Sequence, residues 1–313
     1  MPAASPITWP EGKRFAFTVF DDTDWATLAG VRPVYSFLRD CGFRTTKSCW
    51  VVRGDPGRGR GQGDTCEDDA YLRWLLDLQA QGFEIGWHNA TWHGTPREGT
   101  VAALDRFAGL FGHPPFTAAN HTTADEAIYF ADRRLSGLHA ALYGLFTYWR
   151  NRGRFRGDRP GDPYFWGDLC RQRIKYYRNF VFRDVNTLKA CPHMPYYDAS
   201  RPYVNAWFAS SDGHDADTFV RCLDEAGQDR LEAEGGACIM YTHFAAGFVN
   251  GHRLEPRFET LMRRLAAKRG WFVPVAELLD HLQGAAGPRE ITAAERAKLQ
   301  RRWLREKILV GTN

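Results

Sequence analysis

The chain has 313 residues, which is enough for one large domain or two ordinary ones. Hydrophobic residues make up 44% and charged residues 25%, a globular composition that excludes disordered, collagen-like and disulfide-stapled chains. The net charge of +4 is small for this length and argues neither for nor against nucleic acid, and we expect no nucleic-acid partner. No apolar run is long enough for a transmembrane segment.

Two features of the sequence predict a cytoplasmic protein. The N-terminal segment MPAASPITWPEGKRFAFTVF lacks the basic and apolar regions of a signal peptide. The seven cysteines are scattered, odd in number and free of any CxxC pair, which is typical of reduced thiols.

Apolar runs and helical periodicities alternate along the chain and predict a series of strand–helix units. The predicted strands lie at 14–20, 46–52, 83–87, 116–119, 204–213, 237–244 and 271–275. The predicted helices lie at about 31–40, 68–82, 97–112, 217–233, 258–270 and 277–283. This alternation predicts parallel strands with right-handed crossovers, in a barrel or an open sheet.

Two segments depart from the strand–helix pattern. Residues 53–64 are rich in Gly and Arg, but no Gly-Lys-Ser/Thr follows, so we favour a surface loop over a phosphate-binding loop. Residues 124–190 are rich in aromatic residues and Arg, and we expect a long helix, a loop and a second helix, inserted between the strand–helix units.

A polar linker after Gly284 leads to a basic amphipathic helix at about 293–309, with Leu299, Trp303 and Ile308 toward one face. Basic helices with Trp and Leu can lie on anionic membrane surfaces, so this helix is a candidate for membrane-surface contact. The alternative, which we favour, is that Leu299 and Trp303 pack against the rest of the protein.

Polar residues follow several predicted strands, at the end where parallel α/β proteins keep their active sites. Three such ends supply Asp21 and Asp22, His88 and His93, and His243. Each of these is commonplace singly, as a turn residue or a hydrogen-bonded histidine. Together, two histidines and a carboxylate are an open ligand set for a catalytic divalent metal, which suits Zn²⁺ and also Co²⁺, Ni²⁺ or Mn²⁺.

Four motifs follow one another along the chain: FTVFDD, GFEIGWHNATWH, WFASSDG and CIMYTHF. In this order they resemble the motifs of the polysaccharide deacetylases, the NodB-homology group known as carbohydrate esterase family 4. The resemblance spans roughly residues 13–282. It implies a distorted (β/α) barrel of about seven parallel strands over residues 1–283, including the insertion at about 124–190, with the linker and C-terminal helix at 284–313.

The resemblance also implies roles for six residues. It makes Asp21 the general base, Asp22, His88 and His93 the metal ligands, His243 the general acid and Asp212 the carboxylate that orients it. In this chemistry a carboxylate takes a proton from water while an imidazolium protonates the leaving group.

The chain departs from the family pattern at three places. His88 and His93 are five residues apart instead of four, and Phe244 stands where an Asp is common. The Arg-Pro-Pro-Tyr motif, whose Arg pairs with the base, is replaced by residues 116–121. This replacement makes Asn120 and His121 candidate substitutes at the metal or the base, and Arg201 a candidate for the missing Arg. Asp168, Arg201 and their aromatic neighbours are candidates for a sugar site.

These features predict metal-dependent removal of an acetyl group from an N- or O-acetylated sugar, such as a cytoplasmic precursor or a lipid-linked saccharide. One alternative is a degenerate barrel that binds carbohydrate without catalysis. Another is a different metal-dependent amidohydrolase or deformylase, acting on a formyl or ring amide. The sequence does not indicate the sugar or the oligomeric state.

Overall fold

The computed structural model describes residues 7–284 and 287–311. Its strands in these ranges are β1 (Phe15–Asp21), β2 (Thr46–Cys49), β3 (Glu84–Trp87), β4 (Thr117–Ala118), β5 (Tyr176–Phe182), β6 (Tyr196–Tyr197), β7 (Ala206–Asp212), β8 (Ala237–Thr242), β9 (Val249–Asn250), β10 (Arg253–Leu254), β11 (Gly270–Trp271) and β12 (Arg289–Glu290). Its α-helices are α1 (Leu28–Asp40), α2 (Asp69–Ala80), α3 (Arg97–Phe111), α4 (Gly137–Phe146), α5 (Gly167–Arg173), α6 (Thr187–Ala190), α7 (Ala216–Cys222), α8 (Glu225–Ala233), α9 (Pro256–Ala266), α10 (Val275–Gln283) and α11 (Ala293–Val310).

Seven parallel strands close into a barrel. They follow the order β1-β2-β3-β4-β5-β7-β8, and β8 pairs again with β1 along six residues. The barrel is irregular, because β3 and β4 share a single residue pair and the β5–β7 register shifts between Arg178 and Val181. The predicted (β/α) barrel of about seven parallel strands is confirmed.

The first strand illustrates why the barrel is stable. All seven residues of β1 are buried, because one face points into the barrel and the other lies under helices. On the outside, α1 turns Val31, Val34 and Leu38 inward, and Thr27 caps the helix by accepting a hydrogen bond from the Gly30 amide. β1 therefore delivers the residues that follow Asp21 to the carboxyl end of the barrel.

The segment 124–190 differs from the expected pair of helices. It contains α4 and α5, but it also contains β5, a barrel strand between β4 and β7. Sequence patterns miss β5 because Arg178 and Asn179 interrupt its run of aromatic residues, and both polar side chains are buried in this strand. The part of the segment that precedes the barrel strand therefore ends before Tyr176, and the short helix α6 (Thr187–Ala190) follows β5.

The helix expected at 217–233 is two helices, α7 and α8. The Asp224 side chain accepts a hydrogen bond from the Gly227 amide and caps α8, so the chain starts a new helix there. Side-chain capping of this kind interrupts a periodic pattern that would otherwise continue.

The C-terminal helix α11 packs on the protein. Leu299 and Trp303 are buried, and the Trp303 ring lies 5.7 Å from that of Tyr143 in α4 and 6.0 Å from that of Phe180 in β5. Ile308, expected on the same face, is 45% exposed. None of the helices in the described ranges is both long and apolar enough to cross a membrane.

Candidate metal centre

A cavity of about 260 Å³ opens at the carboxyl end of the barrel. Barrel strand ends line one side of it, and the segment that includes α4, together with α11, lines the other. The lining residues from the barrel strands and from the turns after them are Asp22, Asp24, His88, Asn120, His121, Thr122, Arg178, Val181, Tyr241 and His243.

Asp24 is the centre of a buried cluster in this cavity. Its Oδ2 lies 3.0 Å from Nε2 of His88, and its Oδ1 lies 2.9 Å from Nε2 of His121. Burial alone would raise the pKa of Asp24, but the charges and hydrogen bonds of His121 and His88 outweigh it and hold the pKa well below its ordinary value. Asp24 is therefore a carboxylate that two imidazoles face.

This cluster has the composition of a metal site. The ligand atoms of Asp24, His88 and His121 lie within 4.8 Å of one another, and so do those of Asp22, Asp24 and His243. Imidazole nitrogens and carboxylate oxygens are the ligands that Zn²⁺ and related divalent ions take in catalytic sites. The residues present could therefore hold a metal ion.

Neighbouring side chains fix the two imidazoles. The Trp50 ring lies against both His88 and His121, and its indole N–H donates to the His88 carbonyl at 3.1 Å. The Thr123 hydroxyl lies 3.1 Å from Nδ1 of His121, and the His121 amide donates to the Asn89 side chain at 2.7 Å. A hydrogen bond at the second ring nitrogen orients a metal-binding histidine, and His121 has one through Thr123. Nδ1 of His88 is buried and has no hydrogen-bond partner among the described residues.

The Gly- and Arg-rich loop 53–64 packs over Asp24. Gly61 has a φ of +80°, and a Cβ at this position would lie 2.7 Å from Oδ1 of Asp24. The Gly61 carbonyl also accepts a hydrogen bond from the Trp25 amide. Only glycine fits here, so the loop packs directly against the Asp24 side chain.

Asp22 is held by an arginine from β5. The guanidinium of Arg178 donates to both carboxylate oxygens of Asp22, at 2.9 and 2.5 Å, and both side chains are buried. The resemblance implies an Arg paired with the base, Asp21, but here the arginine pairs with Asp22, and Asp21 pairs with Lys47. Arg201, the candidate for the missing Arg, pairs with Asp198 instead.

His243 faces the cluster from the end of β8. Its Nδ1 lies 2.7 Å from the His214 carbonyl and therefore carries the proton of that hydrogen bond. Its Nε2 lies 3.6 Å from Oδ2 of Asp24. Asp212, expected to orient His243, is instead hydrogen-bonded to the His214 side chain at 3.1 Å, so the His214 carbonyl fixes the imidazole.

Asp21 lies beneath the cavity floor. Its carboxylate accepts hydrogen bonds from the Tyr35 hydroxyl and the Phe244 amide and pairs with the buried Lys47 ammonium at 3.0 Å. Burial raises the pKa of Asp21, and Lys47 opposes that rise. Asp21 is not among the cavity-lining residues, so the structure surrounds it with supporting contacts.

The structure brings some predicted residues to the cavity and leaves others outside it. His93 is outside, because its Nε2 accepts a hydrogen bond from the Asp55 amide at 2.9 Å. Asp168 pairs with Arg97, and Arg201 pairs with Asp198. Asn120 lines the cavity, but its amide holds the Ile128 backbone. His121, named as a substitute ligand, stands where His93 was expected.

Sequence reasoning missed Asp24 and Arg178. The signal for Asp24 was its position three residues after Asp21 in the run DDTD, which the turn carries back over the end of the barrel. The signal for Arg178 was a single cation in the aromatic run YYRNFVF. Because an unpaired charge is costly to bury in a strand, such an arginine indicates a buried acidic partner.

Comparisons with models of known protein families and with curated proteins find no match. Among solved structures, a protein from Mycobacterium smegmatis that is described as a polysaccharide deacetylase is similar, with a TM-score of 0.51. The two sequences are 13% identical, and the match covers 92% of this chain and 97% of that one. PuuE allantoinase gives 12% identity and a TM-score of 0.49 over 91% and 95%. A protein from Pseudomonas aeruginosa PAO1 that is described as a polysaccharide deacetylase has 12% sequence identity and a TM-score of 0.45. The match covers 88% of this chain and 93% of that one.

The first of these likenesses concerns the fold. At 13% identity it covers nearly all of both chains, so the protein has the barrel fold of that polysaccharide deacetylase. The resemblance drawn from the four motifs is confirmed at this level.

Proposed function

We propose that the protein is a metal-dependent hydrolase that removes an acetyl group from an N- or O-acetylated sugar. The observation that carries this proposal is the buried Asp24 carboxylate between His88 and His121, beside the Asp22–Arg178 pair in one cavity. The fold and the four motifs support the same conclusion.

Asp24, His88 and His121 would hold the ion, with Zn²⁺ as the first candidate and Co²⁺, Ni²⁺ or Mn²⁺ as alternatives. A bound divalent ion supplies Lewis acidity toward water and toward an acyl oxygen. This ligand set replaces the one implied by the family motifs, which used Asp22 and His93.

In the proposed mechanism Asp22 is the general base. It lines the cavity, and its Oδ2 lies 3.8 Å from Nε2 of His88, so water activated beside the ligands is within its reach. Arg178 holds both oxygens of Asp22 and fixes the direction from which the carboxylate takes the proton. A positioned base of this kind contributes a factor of about 10²–10⁴ in rate.

His243 is the proposed general acid. Because its Nδ1 donates to the His214 carbonyl, its Nε2 is the nitrogen that faces the cavity. A proton on Nε2 passes to the leaving amine or alcohol as the bond to the acyl carbon breaks. The water oxygen stays on the acyl carbon, and the products are acetate and the deacetylated sugar.

The walls of the cavity suit a sugar. Aromatic rings of Phe130, Tyr143, Phe155, Tyr241 and Trp303 line it together with polar groups. Ligand sites commonly combine an apolar lining with a few placed polar groups, and aromatic rings can pack against the apolar faces of a pyranose. The proposed substrate is therefore a monosaccharide unit rather than a peptide.

Acetate release tests this proposal. The protein is purified without chelator and incubated with free and phosphate-linked N-acetylhexosamines and with an N-formylated sugar, and acetate and formate are measured. We expect acetate from an acetylated sugar, loss of activity after EDTA and recovery with Zn²⁺. Formate release alone would assign a deformylase, and a metal-loaded protein that binds sugar but releases neither acid would assign a binding barrel.

A further inference from the structure

The cavity contains more positive charge than its carboxylates can balance. Its ionisable carboxylates are Asp22 and Asp24, and Asp22 is already paired with Arg178. Three more basic side chains line the same cavity, namely Arg134, Arg154 and Lys307. Within the described part of the chain, no carboxylate lies within 4.0 Å of any of these three.

Arg134 is the most buried of the three, at 7% exposure. Its guanidinium lies 4.8 Å from the ring centre of Phe130 and 5.0 Å from that of Trp303. Its Nε is buried and has no hydrogen-bond partner among the described residues. Burial lowers the pKa of Arg134 to about 10, and the nearby charge of Arg178 contributes in the same direction. An arginine in this position lacks its anion.

Lys307 comes to the same cavity from α11. Burial lowers its pKa, and the charge of Arg134 lowers it further, so the two cations are close enough to repel each other. The carboxylate whose charge reaches Lys307 is that of Asp212, which already binds the His214 side chain. Arg154, half-buried, adds a third positive charge from the segment between α4 and α5.

We propose that Arg134, Arg154 and Lys307 form an anion subsite beside the metal centre, and that it binds a phosphoryl group of the substrate. This inference rests on the proposed function, since it takes the cavity to be the substrate site. The substrate is then a phosphorylated or phosphate-linked acetylated sugar, with the acetyl group toward Asp24 and the phosphate toward α11.

Charge favours a phosphoryl group over a carboxylate. A phosphate monoester carries about −1.5 to −2 charges near neutral pH and three acceptor oxygens, whereas a sugar carboxylate carries a single charge. One arginine satisfies a carboxylate in a bidentate pair, as Arg178 does for Asp22. Three unpaired cations around one cavity match the larger charge of the phosphate.

Calorimetric titration with inorganic phosphate tests the subsite on the metal-loaded protein, with glucuronate as the carboxylate probe at equal ionic strength. Wild type should bind phosphate more tightly than glucuronate. Lys307→Gln and Arg154→Gln should each weaken phosphate binding about tenfold or more, as expected for the loss of a charge-assisted contact. Lys298→Gln is the matched control, because Lys298 is an exposed lysine on the same helix, and it should leave the affinity unchanged.

Three results would overturn the proposal: no phosphate binding by wild type, tighter binding of glucuronate, or equal phosphate affinity in Lys307→Gln, Arg154→Gln and wild type. The last would place the phosphate at the metal ion alone. Acetate release from an uncharged aryl acetate by wild type separates this failure from that of the proposed function. If the protein hydrolyses the aryl acetate but shows no phosphate subsite, the proposed hydrolase function holds and the subsite is wrong. If phosphate binding depends on Lys307 but no acetate is released, the subsite holds and the hydrolase function is wrong.

Discussion

Asp21 and Asp22 are neighbours in sequence, but the end of β1 gives them different surroundings. Asp21 lies under the cavity against Lys47, Tyr35 and the Phe244 amide, and Asp22 lines the cavity against Arg178. We expect Asp22→Asn to lower kcat for acetate release by about 10²–10⁴. Because it leaves the buried Arg178 guanidinium without its carboxylate, it should also lower the unfolding free energy by about 3–5 kcal/mol. Steady-state kinetics and urea unfolding of the purified variant measure the two effects.

Asp21→Asn is the matched variant, and we expect it to lose stability while its folded fraction keeps the turnover of wild type. It removes the partner of a fully buried Lys47 ammonium, and breaking a buried ion pair from one side costs about 3–5 kcal/mol of unfolding free energy. If Asp21→Asn instead folded with normal stability and lost turnover, the proton would be taken by Asp21, as the family motif implies.

Glu126 should make stability depend on pH. Burial raises its pKa from the ordinary value of 4.5 to about 8. Between these values the folded protein keeps a proton that the unfolded chain releases, so stability is full below about pH 4.5 and falls as pH rises toward 8. At pH 7 the unfolding free energy should be lower by about 3 kcal/mol than it is below pH 4.5, as a result of this one group.

Glu126→Gln cannot titrate, and we expect it to flatten this pH dependence. Urea unfolding at pH 5, 6, 7 and 8 compares the two proteins. An equally steep fall in both would show that another group carries the proton linkage. Asp125→Asn changes the adjacent, less buried carboxylate, whose charge adds to the rise in the Glu126 pKa that burial causes. It should reduce the pH dependence only in part.

The kind of site, a cluster of carboxylates and histidines, could be predicted from the sequence better than the individual residues that form it. His88 and His243 were predicted in the site because they directly follow regular strands, whose ends meet at one rim of a parallel barrel. The positions of Asp24 and His121 are set by turns after the strands, and the hydrophobic periodicity of a sequence does not predict the path of a turn. The five-residue spacing to His93 was the visible departure, and it indicated either an extra residue in the turn or another group in place of His93.

At the level of secondary-structure elements, α11 closes one side of the cavity and should stabilise the barrel. Trp303→Ala removes a buried ring that lies against Tyr143 and Phe180, and we expect a loss of about 3–5 kcal/mol in unfolding free energy. Ile308→Ala, on the same helix but 45% exposed, should change it by less than about 0.5 kcal/mol. Equal effects of the two changes in a urea titration would contradict the packing of α11.

The elements differ in how well sequence patterns predict them. β1 and β8 are continuous apolar runs and could be placed to within a few residues. β5 could not be placed, because Arg178 interrupts the apolar run of this strand. Arg178 pairs with Asp22, the residue that follows β1. The missed strand is thus the one that supplies a proposed functional group, and the conflict between local pattern and fold marks that residue.

For the whole molecule, the alternation of strands and helices was enough to predict parallel strands with right-handed crossovers, in a barrel or an open sheet. The resemblance implied the barrel, and the pairing of β8 with β1 closes it. The charge inside the cavity could not be predicted. Arg134, Arg154 and Lys307 come from three separate segments outside the barrel and meet only in three dimensions.

Metal content tests the central claim, that Asp24, His88 and His121 form a metal site, most directly. Wild type, His121→Ala and His93→Ala are purified without chelator, checked for folding by circular dichroism, and assayed for Zn²⁺ by elemental analysis and by Zn²⁺ titration. Wild type and His93→Ala should bind the ion, and His121→Ala should lose it. Retention by His121→Ala with loss by His93→Ala, or a metal-free wild type with full acetate release, would contradict the account.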